Sequence, residues 1–340
     1  MSEPTPQRFL ARVARATFLH PAGLVALGLW IAAHVAVLAL AGGYLPFDRP
    51  AVAQLPFAVQ VAVPTIGMVE VLLLMLVVYG LTRRRVVDIA ARAPDRRRAG
   101  WEVGLLLTYA MLAQVGGWLL GPALGYRPFS FHVAGTLFGC SVPATPGEIW
   151  TWMTYNFVAF ALLPYLWFRR RYSRESLNLT SSAPRNDLLV ILVVLAIETA
   201  FELSAFPGIL SLSPRELAAA APLAFVIFFL GTVLPTMVLI YAILLPRYLK
   251  LTGSPTVTVL LGGLTYAAMH LVEGWSLFDT ARDTALSLLF VALGYVGPGM
   301  IKSFITLRTG NAWVHALGYH AVAPHVVADA PMIGKVFGVL

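Results

Sequence analysis

The chain has 340 residues, of which 59% are hydrophobic and only 12% charged, whereas soluble domains carry roughly 25% charged residues. That composition excludes a soluble globular protein. The formal net charge of +8 does not argue for nucleic acid as a partner, because the basic residues gather at the joints between apolar runs, where they set topology and meet anionic headgroups. The expected partner is the membrane lipid bilayer, with the bacterial plasma membrane as the expected location. The expected fold is an all-α polytopic membrane protein with about nine transmembrane helices and a cytoplasmic N-terminus.

Crossing a hydrocarbon layer of about 30 Å takes about 20 apolar residues. Nine such runs follow one another at roughly 21–42, 56–82, 102–122, 149–168, 188–206, 217–245, 256–274, 283–301 and 311–328. The first is preceded by Arg8, Arg12 and Arg15 and followed by Ala39-Leu40-Ala41, a pattern like that of a cleavable leader. Its apolar core exceeds the ~7–15 residues usual for a leader, so it reads as a retained span. The second run holds Glu70 beside the bend expected at Pro64. Between the third and fourth lies an outer loop, about 123–148, which contains Pro128, Pro143, Pro146 and the lone Cys140 and reads as a solvated connection rather than a lid. One thiol supports neither a disulfide nor a cysteine-based metal site. The fifth run carries Glu198 and Glu202, the seventh ends in His270 and Glu273, and the ninth carries His315, His320 and His325. With the N-terminus inside, 19 of the 24 Lys and Arg, from Arg8 through Arg83–Arg85 to Lys302 and Arg308, fall in cytoplasmic segments. Positive charge retained inside favours that orientation.

An ionisable side chain within a span is costly, so each one is a functional candidate. Glu198 and Glu202 are four residues apart, on one helix face about one turn from each other. Two like charges there cannot both ionise cheaply, so the pair is suited to holding a proton for general acid/base work; carboxyls bonded to neighbouring helices as structural glue are the alternative. At 1.5 Å per residue, Glu198 and His320 lie about 15 Å, and His270 about 21 Å, from the cytoplasmic ends of their spans. One cavity lined by Glu198, Glu202, His270 and His320 is therefore expected. Glu70 reads as structural and apart from it, and His34 and His315 as hydrogen-bonded histidines. No cofactor is expected; zinc on His270, Glu273 and His320 is a secondary possibility, because no HExxH-like pair supports it.

From about 160 to 328 the chain resembles the CAAX protease and bacteriocin-processing family, the glutamate-type intramembrane endopeptidases also called Abi proteins. The resemblance is carried by LLPYLWFRRRYSRESLNLTSSAPRNDLLVILVVL, by LPTMVLIYAILLPRYLKLTGSPTVTVLLGGLTYAAMHL and by ARDTALSLLFVALGYVGPGMIKSFITLRTGNAWVHALGYHA. The family's FxxxH motif matches Tyr266-Ala-Ala-Met-His270, and its later histidine, downstream of Thr-Gly and Trp, matches Thr309-Gly310, Trp313 and His320. The family's first motif, Glu-Glu-x-x-x-Arg, falls here on Thr236, Met237 and Tyr241, and the asparagine that follows its last histidine is Pro324, with His325 next. Thr236 stands 34 residues before His270, close to the family's separation, whereas Glu198 stands 72 before it. The resemblance implies an endopeptidase that cleaves a peptide or protein substrate with carboxylate-activated water, and here Glu198 or Glu202 would have to supply the carboxylate beside His270 and His320. A catalytically inactive member acting as a membrane scaffold or regulator is the alternative, and a proton-coupled transporter a third reading. The chain is divided accordingly into N-terminal membrane helices of unknown role (1–150), a CAAX-protease-like membrane core (151–330) and a C-terminal tail (331–340).

Overall fold

A computed structural model describes residues 20–47, 52, 55–135 and 144–340; Arg8, Arg12, Arg15 and Cys140 lie outside the described residues. Among the described residues all regular structure is helical. Helix α1 spans Pro21–Ala41, α2 Phe57–Thr82 and α3 Arg96–Ala123. Helix α4 starts as Pro146–Asn156, widens over Phe157–Leu162 and ends as Leu163–Arg169. Helix α5 spans Pro184–Ala205, α6 Pro214–Thr252, α7 Pro255–Met269 and α8 Ala281–Thr309. Helix α9 starts at Ala312–His315 and widens over Ala316–His320 and Ala323–Val327, and α10 is the short Ala330–Val336.

The boundaries follow local chemistry. Side chains of Asp95, Thr145, Ser213, Ser254 and Thr280 cap the starts of α3, α4, α6, α7 and α8 by accepting from exposed backbone N–H groups. Proline in the first turn opens α1, α5, α6 and α7, where its missing N–H costs nothing. Left-handed Gly253 and Gly310 close α6 and α8. The widened turns also have a sequence cause. Phe157–Leu162 precedes Pro164, Phe229–Val233 precedes Pro235, and Met237–Leu244 precedes Pro246. A proline ring excludes the carbonyl four residues back and offers it no donor, so each ladder opens by one residue just ahead of it.

Among the described residues six helices are long and apolar enough to cross a membrane: α1, α2, α3, α5, α6 and α8. The other three apolar runs are helical but irregular or short: α4 and α9 are widened, and α7 has 15 residues. The joints sort into two ends. At one end Arg85 pairs with Asp187 and donates to the Thr309 carbonyl. There also Arg92 bonds Asn178 and the Gly310 carbonyl, and Arg96 reaches Leu251. At the other end Arg282 holds the carbonyls of Leu40 and Ala41, and His132 meets Glu273. Every one of these contacts joins segments expected on the same membrane side.

Near the first end, buried Arg247 pairs with Glu102 at 2.7 Å, and Tyr172 donates to the same carboxylate at 2.6 Å. Burial, with Glu102 adding to it, raises the Tyr172 phenol above its ordinary pKa. The central element is α6, whose residues Met237 through Leu245 are all buried. Around it, α5 turns one stripe inward, Asp187, Val190, Val194, Glu198 and Glu202, and leaves Leu188, Leu189 and Leu192 exposed on its outer face. An apolar exterior around a polar interior stripe is what a lipid solvent selects.

Two expectations need correction. Lys302 does not lie in a joint between helices: α8 extends to Thr309, so Lys302 is a buried residue within it. Nor is the described part of the outer loop solvated throughout: residues 123–125 and Pro128 are exposed, but Phe129 through Ala134 are all buried. Trp152 donates to the Ser130 carbonyl at 3.1 Å and Asn156 to that of Phe131 at 3.2 Å. These bonds satisfy irregular backbone that lies inside protein rather than in lipid.

Candidate functional site: a buried carboxylate and histidine seam

The polar stripe of α5 is the first half of the site. Glu198 and Glu202 are both buried. Glu198 lies within hydrogen-bonding and electrostatic reach of Glu70 of α2, which corrects the expectation that Glu70 lies apart. The outer oxygens Glu198 Oε2, Glu202 Oε2 and Glu70 Oε1 are buried with no partner. Gly318 of α9 lies against Ile191 and Val194 of α5, and the neighbouring Tyr319 is within electrostatic reach of all three carboxyls. Buried Lys302 sits with its Nζ 3.7 Å from the centre of the Tyr266 ring, a cation–π contact, and within reach of Glu198.

The second half is a group of histidines around Tyr266. His270, at the end of α7, directs its Nδ1 to the Tyr266 carbonyl at 2.6 Å, and its ring stacks on Tyr295 with centroids 4.0 Å apart. The Tyr266 hydroxyl meets His320 Nε2 at 3.3 Å, and Thr236 Oγ1 faces His320 Nδ1 at 3.5 Å. Thr236 of α6 thus abuts His320 of α9. Beyond His320, the rings of His325 and His132 follow at 5.2 Å and then 5.8 Å. His325 Nδ1 meets Asp329 Oδ2 at 3.3 Å, and Asp329 in turn is within electrostatic reach of Glu202. Carboxylates and histidines therefore form one buried seam, linked through Lys302 and through Asp329.

Of the four residues expected to share a cavity, Glu198 and Glu202 fall in the carboxylate half and His270 and His320 in the histidine half. His34 bonds the Trp30 carbonyl and Thr65 through its two ring nitrogens, as a satisfied histidine should, whereas His315 bonds Thr306 through Nδ1 and leaves Nε2 buried with no hydrogen-bond partner. The expected zinc set was His270, Glu273 and His320. Among the described residues, those that offer ligand atoms within 4.8 Å of one another are instead His132, His270 and Glu273.

No protein-family model, curated protein or solved structure matches this chain. Its chemistry must therefore be argued from the seam itself. His132, Glu70 and Lys302 are the residues that sequence reasoning missed. His132 sits in an irregular segment with no spacing motif, and Glu70 was discounted for lacking a neighbour in its own helix. A cavity of about 190 Å³ lies behind Phe131 and reaches the turn at Leu271 and Val272. Its outer wall includes Trp118 and Leu119 of α3, which are exposed on the side facing lipid.

Proposed function

We propose that this chain is a divergent intramembrane endopeptidase of the CAAX protease and bacteriocin-processing type, which cleaves a peptide or protein substrate at the membrane by carboxylate-activated water. The contact of Thr236 and Tyr266 with His320 is the observation that supports this reading best. It brings three segments that the resemblance aligns independently, around 236, 266–270 and 320, to one buried point. In this proposal Glu198 or Glu202 accepts the proton of the attacking water, and His270 and His320 orient the substrate carbonyl and stabilise the charge that develops on it. The proposed topology has the N-terminus in the cytoplasm and the seam nearer the outer face.

A second reading is favoured by one feature. Thr236 offers a hydroxyl where the resemblance calls for a carboxylate, and a hydroxyl is no general base; a catalytically inactive scaffold or regulator would show the same substitution. Peptide profiling of membranes from cells that express the wild type, Glu198→Gln, Glu202→Gln, His270→Ala or His320→Ala separates the two, with membrane levels checked for each. Loss of a general base costs about 10²–10⁴ in rate, so an enzyme loses its cleavage products in at least one carboxylate variant and in the histidine variants. Unchanged products in all four variants would leave the scaffold reading standing.

A further inference from the structure

We propose that His132, His270 and Glu273 form a binding site for one divalent transition-metal ion of the zinc class. Three features carry this. First, one ligand atom from each residue lies within 4.8 Å of the others, and all three residues are buried. Zinc–ligand bonds of about 2.0–2.2 Å bring tetrahedral ligands to about 3.4 Å apart, so small side-chain rotations close the site.

Second, His270 is held as a metal ligand would be. Its Nδ1 is tied to the Tyr266 carbonyl at 2.6 Å, which leaves the lone pair on Nε2, and Nε2 is buried with no hydrogen-bond partner. A backbone carbonyl on one ring nitrogen is the usual way in which a protein fixes the tautomer and aim of a ligating imidazole. His325 repeats the device with a carboxylate: Nδ1 meets Asp329 Oδ2, Nε2 has no partner, and the ring lies 5.8 Å from that of His132. It is placed to approach a fourth position, which the three-residue set leaves open.

Third, the donor set is selective. Two imidazoles and one carboxylate suit zinc and its transition-metal neighbours, whereas calcium and magnesium take oxygen ligands. The Glu273 carboxylate supplies the negative charge a buried cation needs, and it partly offsets Lys302, which lies within electrostatic reach of both His132 and His270. The segment that carries His132 is pinned by Trp152 and Asn156, so the ligand arrives on a fixed backbone.

The site shares His270 with the peptidase proposal but is read by metal alone. The full-length chain, tag removed and stripped with chelator in detergent micelles, is titrated with Zn²⁺ against a chromophoric competitor, and bound metal is counted by elemental analysis. One zinc per chain is expected, with Co²⁺ giving the visible ligand-field bands of a tetrahedral site. His132→Ala and Glu273→Gln each weaken binding at least tenfold, since loss of an outer partner alone costs about 10–100-fold; His34→Ala leaves it unchanged. Absence of stoichiometric zinc in the folded wild type overturns the proposal, as does equal affinity in His132→Ala and Glu273→Gln. The wild-type stoichiometry and cobalt spectrum decide even where a variant fails to fold. Neither readout uses peptide cleavage, so failure here leaves the peptidase proposal intact and the reverse also holds.

Discussion

In the proposed endopeptidase Thr236 is the residue to test first, because its hydroxyl lies beside His320 at 3.5 Å. Replacing it with glutamate puts a carboxylate there. If the seam is an endopeptidase whose base has moved to α5, Thr236→Glu in a Glu198→Gln or Glu202→Gln background restores cleavage products lost in the parent variant, read by the same membrane peptide profiling; a Thr236→Gln control does not restore them. A second residue-scale prediction concerns Glu102, which holds buried Arg247. Removing one partner of a buried pair costs about 3–5 kcal/mol because the other charge is left uncompensated. Glu102→Ala should therefore lower the thermal midpoint in detergent far more than Arg98→Ala, whose guanidinium is exposed on the same carboxylate. His270 and His320 were legible in the sequence because an aromatic residue one turn before the first histidine, and Thr-Gly and Trp before the second, mark them locally. Their partners were not. The contacts of Glu70 with Glu198 and of His132 with Glu273 join residues more than a hundred positions apart, and no periodicity within one segment encodes such a pairing.

At the scale of elements, apolar length was readable and regularity was not. The runs at 149–168 and 311–328 are predominantly apolar, yet both helices open into wider turns beside Pro164 and Pro324. The two widenings in α6, Phe229–Val233 and Met237–Leu244, flank Thr236, which faces His320. Such turns recur at functional sites because they re-aim side chains that a regular helix would turn away. The tightest helix contact is α7 against α8. A Cβ on Gly299 would lie 2.6 Å from Tyr266 Cβ and 2.8 Å from Gly263 Cα, so the backbones meet over small residues, as membrane helices do. Gly299→Ala must push α7 outward and carry Tyr266 and His270 with it. The expected destabilisation is about 1–3 kcal/mol, as for overpacked cores, seen as a lowered thermal midpoint in detergent. Gly28→Ala, where nothing lies within 4 Å, should leave that midpoint unchanged or raise it.

For the whole molecule, basic residues in alternate joints anticipated the grouping of joints into two ends that the contacts display. The proposed orientation of those ends is open to labelling. In a Cys140→Ser background, Val339→Cys should react with a membrane-impermeant thiol reagent in intact cells, and Ser181→Cys only after the membrane is opened; labelling of Ser181→Cys from outside would reverse the orientation. The seam draws on almost the full length of the chain, from Glu70 and His132 to His320 and Asp329. A ribosome delivers these residues in order, and the carboxyls of α2 and α5 enter the bilayer before Lys302 and Tyr319 exist to receive them. Until the last quarter of the chain is inserted, the early helices carry ionisable groups that hydrocarbon does not tolerate. A chain interrupted before α8 lacks the Lys302 and Tyr319 that lie within electrostatic reach of those carboxyls in the complete fold.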